Sequence, residues 1–115
     1  MESILTSIKK LLGIAEDDDS FDTDVIMHIN STFMVLTQLG VGPPEGFMIE
    51  DESATWADFI PDGVSLEAIK SYIYLRVKMI FDVNTTPSAV IDAMNRTINE
   101  LEWRLNVAAE PSQSD

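Results

Sequence analysis

Hydrophobic positions recur along this chain at helical spacing, in four segments separated by polar or glycine-rich breaks. Ile4, Leu5, Ile8, Leu11 and Leu12 lie three and four apart. This predicts an amphipathic helix over residues 2–12, with Lys9 and Lys10 on its polar side and Gly13 as its stop. A second helix is predicted from Asp22 to Leu39, with Val25, Ile26, Ile29, Phe33, Leu36 and Leu39 as its stripe. Asp22 is the expected cap, Phe21 the expected staple onto Ile26, and Gly40 the end.

The most apolar stretch runs from Ser65 to Asp82. Leu66, Ile69, Ile73, Val77 and Ile80 share one face, and Tyr72, Tyr74, Leu75, Met79 and Phe81 make the other faces apolar as well. A helix apolar nearly all round is buried on several sides, so the rest of the chain is expected to pack around this one. Ser65 suits its N-cap and Glu67 its first turn. Lys70, Arg76 and Lys78 interrupt it, which argues against a membrane span. A last helix is predicted over residues 87–108, with Thr86 as cap and Pro87 as first residue. Val90, Ala93 or Met94, Ile98, Leu101 and Leu105 are its expected core positions.

Residues 40–64 break the helical pattern. Gly40, Gly42, Pro43, Pro44 and Gly46 forbid a regular element at the start, and residues 46–49 suit one short extended segment. Ser53 then suits the cap of a helical turn carrying Trp56, Phe59 and Ile60, closed by Pro61, Asp62 and Gly63. A loop of this length in a small domain is functional or held by its own anchors, and Trp56 and Phe59 are the expected anchors. The expected architecture is all-α: a small bundle of four main helices around a central buried helix, with a long irregular loop between the second and third. Residues 1–109 are expected to form a single domain and residues 110–115 a flexible polar tail.

Charge changes the picture. The chain of 115 residues carries 20 acids against seven Lys and Arg, a net charge of −13. Residues 1–62 hold two of the bases and 13 of the acids, giving −11, and the remainder is close to neutral at −2. A basic nucleic-acid footprint is therefore not expected; the imbalance suggests one negative surface, for which a solvated face is the simpler reading. The chain has no cysteine, which excludes a disulfide scaffold, a thiolate zinc site and a cysteine nucleophile. Lys9 and Lys10 inside the apolar pattern, with no small-residue cleavage site following, argue against an export signal.

Candidate chemistry is sparse. The run Asp17, Asp18, Asp19, Ser20, Phe21, Asp22 invites a calcium reading, but neither register places glycine at the sixth position or glutamate at the twelfth. His28 is the only histidine, so no His-pair metal site can form, and it has no partner at a catalytic spacing. Residues 40–46 contain glycines, but prolines remove donors and no strand–helix context surrounds them, so they are no phosphate loop. Catalytic residues, metal and cofactors are all expected to be absent. Trp103 lies two positions beyond Leu101, off the main stripe, where it packs either a secondary core or a partner. Six methionines suit adaptable packing. The apolar helical surface exceeds what four short helices bury readily, which favours self-association or a protein partner. A small acidic regulatory or scaffolding protein that binds a helical partner fits the same pattern.

The order of these signatures resembles the head–tail connector (adaptor) proteins of tailed bacteriophages, a small helical family also associated with DNA packaging. The resemblance rests on residues 8–14 (IKKLLGI), the acidic turn into 21–30 (FDTDVIMHIN), 38–47 (QLGVGPPEGF), Trp56, 72–82 (YIYLRVKMIFD), the PSAV at 87–90 and 100–106 (ELEWRLN). It implies a virion protein of the neck, assembled in the host cytoplasm, that catalyses nothing. It also implies a ring of copies under the portal protein, monomeric when free and dodecameric on the portal. Such a ring would extend the DNA channel and carry the neck and tail completion proteins, without a membrane partner. Genome DNA would only pass through, past an acidic surface for which Asp17, Asp18 and Asp19 are the candidates. The resemblance places portal docking in the C-terminal segment, with Arg104, Asn106, Glu110 and Pro111 as candidates. The Pro-Gly loop, with Pro43, Pro44, Phe47, Trp56 and Phe59, is the candidate for contacts between neighbouring subunits.

Overall fold

A computed structural model of the chain describes residues 3–60, 66–82 and 84–109. Five helices follow one another: α1 (Ile4–Leu12), α2 (Asp22–Gln38), α3 (Trp56–Phe59), α4 (Leu66–Phe81) and α5 (Ser88–Ala109). No strand forms among the described residues; a single antiparallel bridge joins Ser3 to Thr55. The molecule is a slab of 46 × 35 × 19 Å. α4 is its middle member and packs against α1, α2 and α5. That position is the one its all-round apolar character calls for: Ile69, Tyr72, Ile73 and Val77 are buried, and Leu66, Tyr74, Leu75, Met79 and Phe81 pack on the core partly covered.

The cores of α1 and α2 follow the predicted stripes, with corrections at their edges. Ile4, Leu5 and Ile8 are buried, but Leu11 is half exposed and Lys9 is buried in its stead. The start of α2 lies over that side of α1 and offers Lys9 a carboxylate. Asp22 is thus the first residue of α2 rather than its cap; Phe21 holds the cap position without a side-chain bond. The Phe21 ring meets Phe81 edge-on at 5.5 Å, tying the entry of α2 to the end of α4.

Cap positions are also corrected further along. α3 is capped by Thr55, whose hydroxyl accepts from Asp58 N while the Asp58 carboxylate accepts from Thr55 N, a full capping box. Ser53, the expected cap, instead donates to Asp51 from both its amide and its hydroxyl. Thr86 does not cap α5: its hydroxyl donates to Asp82 O at 2.8 Å and closes the turn after α4. The Ser65 cap and the closing Pro61–Gly63 turn lie outside the described residues. Ile80 and Val90, both predicted core, are nearly half exposed. They flank the α4–α5 turn, where the apolar stripes run past the elements that cover them.

The irregular segment between α2 and α4 is held at several points. Asn30 on α2 donates from Nδ2 to Ile49 O at 2.9 Å and accepts from Ile49 N at 2.8 Å, standing in for a strand neighbour. Phe33, Phe47 and Phe59 form a ring triad with centroids 4.7–5.2 Å apart. Trp56 is buried and its Nε1 donates to Ser7 Oγ at 3.1 Å on α1. The Asn30 and Trp56 bonds replace water for polar groups that would otherwise be left unsatisfied, and the ring triad holds the loop by burying apolar area.

Candidate functional site

The segment expected to contact neighbouring subunits divides in two. Trp56 and Phe59 are buried in the chain's own core, so their side chains serve as internal anchors and do not reach the surface. Pro44 is exposed, and Pro43 and Phe47 are partly covered. Residues 45–48 of the loop, Phe47 among them but neither proline, form with the outer face of α2 an open groove of about 810 Å³. Met27, Met34 and Gln38 of α2 and Glu45, Phe47 and Met48 of the loop are among its lining residues. Met27, Met34 and Met48 are 55%, 65% and 72% exposed. Three exposed methionines in one depression are a mobile, polarisable apolar surface of the kind that re-packs around a partner. Sequence periodicity missed this groove. It lies on the face of α2 opposite the buried Val25, Ile29, Phe33 and Leu36, and a third of its lining residues come from the loop.

The acidic candidates Asp17, Asp18 and Asp19 lie in the fully exposed turn between α1 and α2. The Asp18 carboxylate accepts from the hydroxyl and amide of Ser20 at 2.6 and 3.1 Å. Those bonds hold its pKa below the ordinary carboxylate value, so it stays charged. Lys9 turns away from these acids. Its ammonium donates to Glu16 O at 3.1 Å and lies 2.8 Å from Asp22 Oδ1, an ion pair whose angles fall outside hydrogen-bond geometry. The turn therefore keeps its negative charge outward while its base is anchored by an inward cation. Among the described residues no group of three His, Asp or Glu side chains is placed to hold a metal ion.

The C-terminal candidates are partly committed. Arg104 is held by Glu100 one turn earlier, at 2.9 Å. Asn106 Nδ2 donates to Leu39 O at 3.2 Å and ties α5 to the end of α2. Glu110 and Pro111 lie outside the described residues. Trp103 is 67% exposed on α5, so within one copy it packs no secondary core.

One polar cluster, with Tyr72 buried and Arg76 and Glu102 partly covered, fixes α5 on α4. The Tyr72 hydroxyl donates to Glu102 Oε2 at 2.7 Å, and Arg76 Nη1 reaches the same oxygen at 3.3 Å. The Arg76 guanidinium also lies over the Tyr72 ring, 5.7 Å from its centre. Burial first, and then the bond to Glu102, push the Tyr72 phenol well above its ordinary value of 10.0. In the unfolded chain Tyr72 ionises near that ordinary value, before the folded one does. The stability due to the raised value is therefore fully present below pH 10 and is lost as pH rises further. Tyr72→Phe is expected to cost about 2 kcal/mol at neutral pH. In urea titrations the gap to the parent chain should narrow above pH 10; a gap independent of pH would show that the phenol is not buried against Glu102.

These features define a small all-α module whose distinctive surfaces are an acidic turn, a methionine-lined groove and an exposed tryptophan. No reactive constellation accompanies them among the described residues. The chain belongs to the phage connector protein family, whose model matches residues 4–112. No curated protein and no solved structure gives a match. Membership makes it a structural protein of the head–tail connection, in the neck of the virion and in contact with other phage head and tail proteins. Among the described residues no helix is long and apolar enough to cross a membrane.

Proposed function

We propose that copies of this chain form a ring beneath the portal protein, continue its DNA channel and present the platform on which neck and tail completion proteins assemble. The observation that carries this reading is membership of the connector family across nearly the whole chain, residues 4–112. Uncovered apolar surface supports it, because a chain that leaves Trp103 and three methionines in water has partners. The ring is assembled in the host cytoplasm, dodecameric on the portal and monomeric before it. Asp17, Asp18 and Asp19 line the channel, where negative charge repels DNA phosphates and keeps the genome mobile. The segment beyond Asn106, including Glu110 and Pro111, docks on the portal, and the loop around Pro43, Pro44 and Phe47 meets a neighbouring subunit.

Deletion of the gene from its phage, followed by electron microscopy of the lysate, tests the reading. The expected result is heads beside unattached tails, or heads that fill with DNA and lose it. Complete particles without the gene product would remove the protein from the neck. A regulatory protein that binds a helical partner in the methionine groove would then take its place. Neutralising all three acids to Asn should leave particles assembled but slow DNA ejection; unchanged ejection would take the acidic turn out of the channel.

A further inference from the structure

Among the apolar surfaces that the described residues leave uncovered on one copy, two carry the most exposed side chains, and each faces away from the core. The first is the groove on the outer face of α2. The second is the outer stripe of α5. Met94, Ile98 and Leu105 are buried against the bundle, and Arg96, Glu100, Trp103 and Val107 recur at spacings of four, three and four on the opposite side. Trp103 and Val107 are both exposed there.

Charge decides what can cover them. Glu45 is the groove's charged lining residue, and the exposed acids Asp24 and Glu50 lie within two residues of others that line it. Two such grooves face to face would oppose like charges, in a half of the chain that carries −11. The α5 stripe is close to neutral, since the exposed Asp92 lies on it four residues before Arg96. Arg96 has no acidic partner among the described residues, and Glu102 is turned inward onto Tyr72 and Arg76. Glu100 is already matched by Arg104.

We infer that the outer stripe of α5 on one copy seats in the groove of a second copy. Trp103 inserts among Met27, Met34 and Met48, and Arg96 faces the acidic rim around Glu45. This rests on the self-assembly part of the proposed function and names its contact surfaces. The two surfaces differ, so the contact is head-to-tail, and a head-to-tail contact propagates until rotation closes it into a ring. Tryptophan is the residue type that most often anchors such a contact, and methionine is the lining that adapts to it.

The chain's lack of cysteine makes a clean test possible. The full-length protein would carry Met34→Cys, Val107→Cys or both, at two exposed positions. Phage particles assembled with each would be treated with a short bis-maleimide and run on a denaturing gel. The double variant is expected to give a ladder extending beyond the dimer, and each single variant only monomer. Adding Trp103→Ala, exposed and so without consequence for folding, should weaken copy-to-copy association about thirtyfold and fade the ladder. Dimers from a single variant would make the contact symmetric and overturn the inference. Rings seen by microscopy without a ladder would overturn it while leaving self-assembly intact. Trp103→Ala particles that keep the ladder but lose their tails would give the α5 stripe to another virion protein, also overturning it. Neither rings nor ladder would overturn both the inference and the ring on which it rests.

Discussion

Asp22→Ala is expected to lower the unfolding free energy by about 3 kcal/mol, whereas Lys9→Met should cost about 1 kcal/mol or less. The asymmetry follows from burial. The Lys9 side chain is 4% exposed and that of Asp22 27%. Removing the carboxylate leaves a charged ammonium inside with, among the described residues, Glu16 O alone to receive it. Removing the ammonium leaves Asp22 Oδ1 buried without its cation, but the carboxylate as a whole is 27% exposed and keeps part of its hydration, and methionine fills much of the vacated stem. Chemical denaturation of both variants, beside Asp24→Ala as an exposed control, measures the difference. Equal costs for the two would mean that Lys9 escapes to solvent and that the inward pair does not hold the α1–α2 turn.

Gly42→Ala is expected to cost about 3 kcal/mol, and Gly13→Ala about 1 kcal/mol, although both glycines have left-handed backbones with φ of 84° and 81°. The shared part is the strain of a side chain at positive φ. At Gly13 an added Cβ would meet nothing within 4 Å. At Gly42 it would lie 2.4 Å from Cε1 and 2.8 Å from Cζ of Phe59. That ring is buried in the triad with Phe33 and Phe47 and cannot swing aside without opening the core. Thermal melts of the two variants check the contrast. The loss at Gly42 should extend to the groove, because Phe47, which lines it, packs on the displaced ring. Equal shifts in the two melts would show that the Phe59 ring yields.

The helical segments were legible from spacing alone, since helices of this length bury one face and that face must recur every three to four residues. The central position of α4 was legible for the same reason, through residues apolar on every side. Trp56 and Phe59 were recognisable as loop anchors because large aromatics in a segment without periodicity find cover in the core. The caps at Thr55 and Phe21 were not legible. Ser53 and Asp22 are chemically suited to those roles, and their own neighbours, Asp51 and Lys9, claim them first.

What the sequence by itself determined is the set of helices, their inward faces at Ile4, Ile8, Val25, Ile29, Phe33, Ile69, Ile73 and Val77, and the acidic character of the front half. Those properties follow from the local period and from composition, and they need no knowledge of which element lies beside which. Only the tertiary structure decided that Lys9 points inward, that Trp103 is left in water, and that Met27, Met34 and Met48 meet in one groove. Each of these depends on residues far apart in the chain: Lys9 on the start of α2, Trp103 on the absence of a further described helix over α5, and the groove on a loop pinned back to Asn30. Burial is a property of neighbours, and periodicity names a face without naming what covers it.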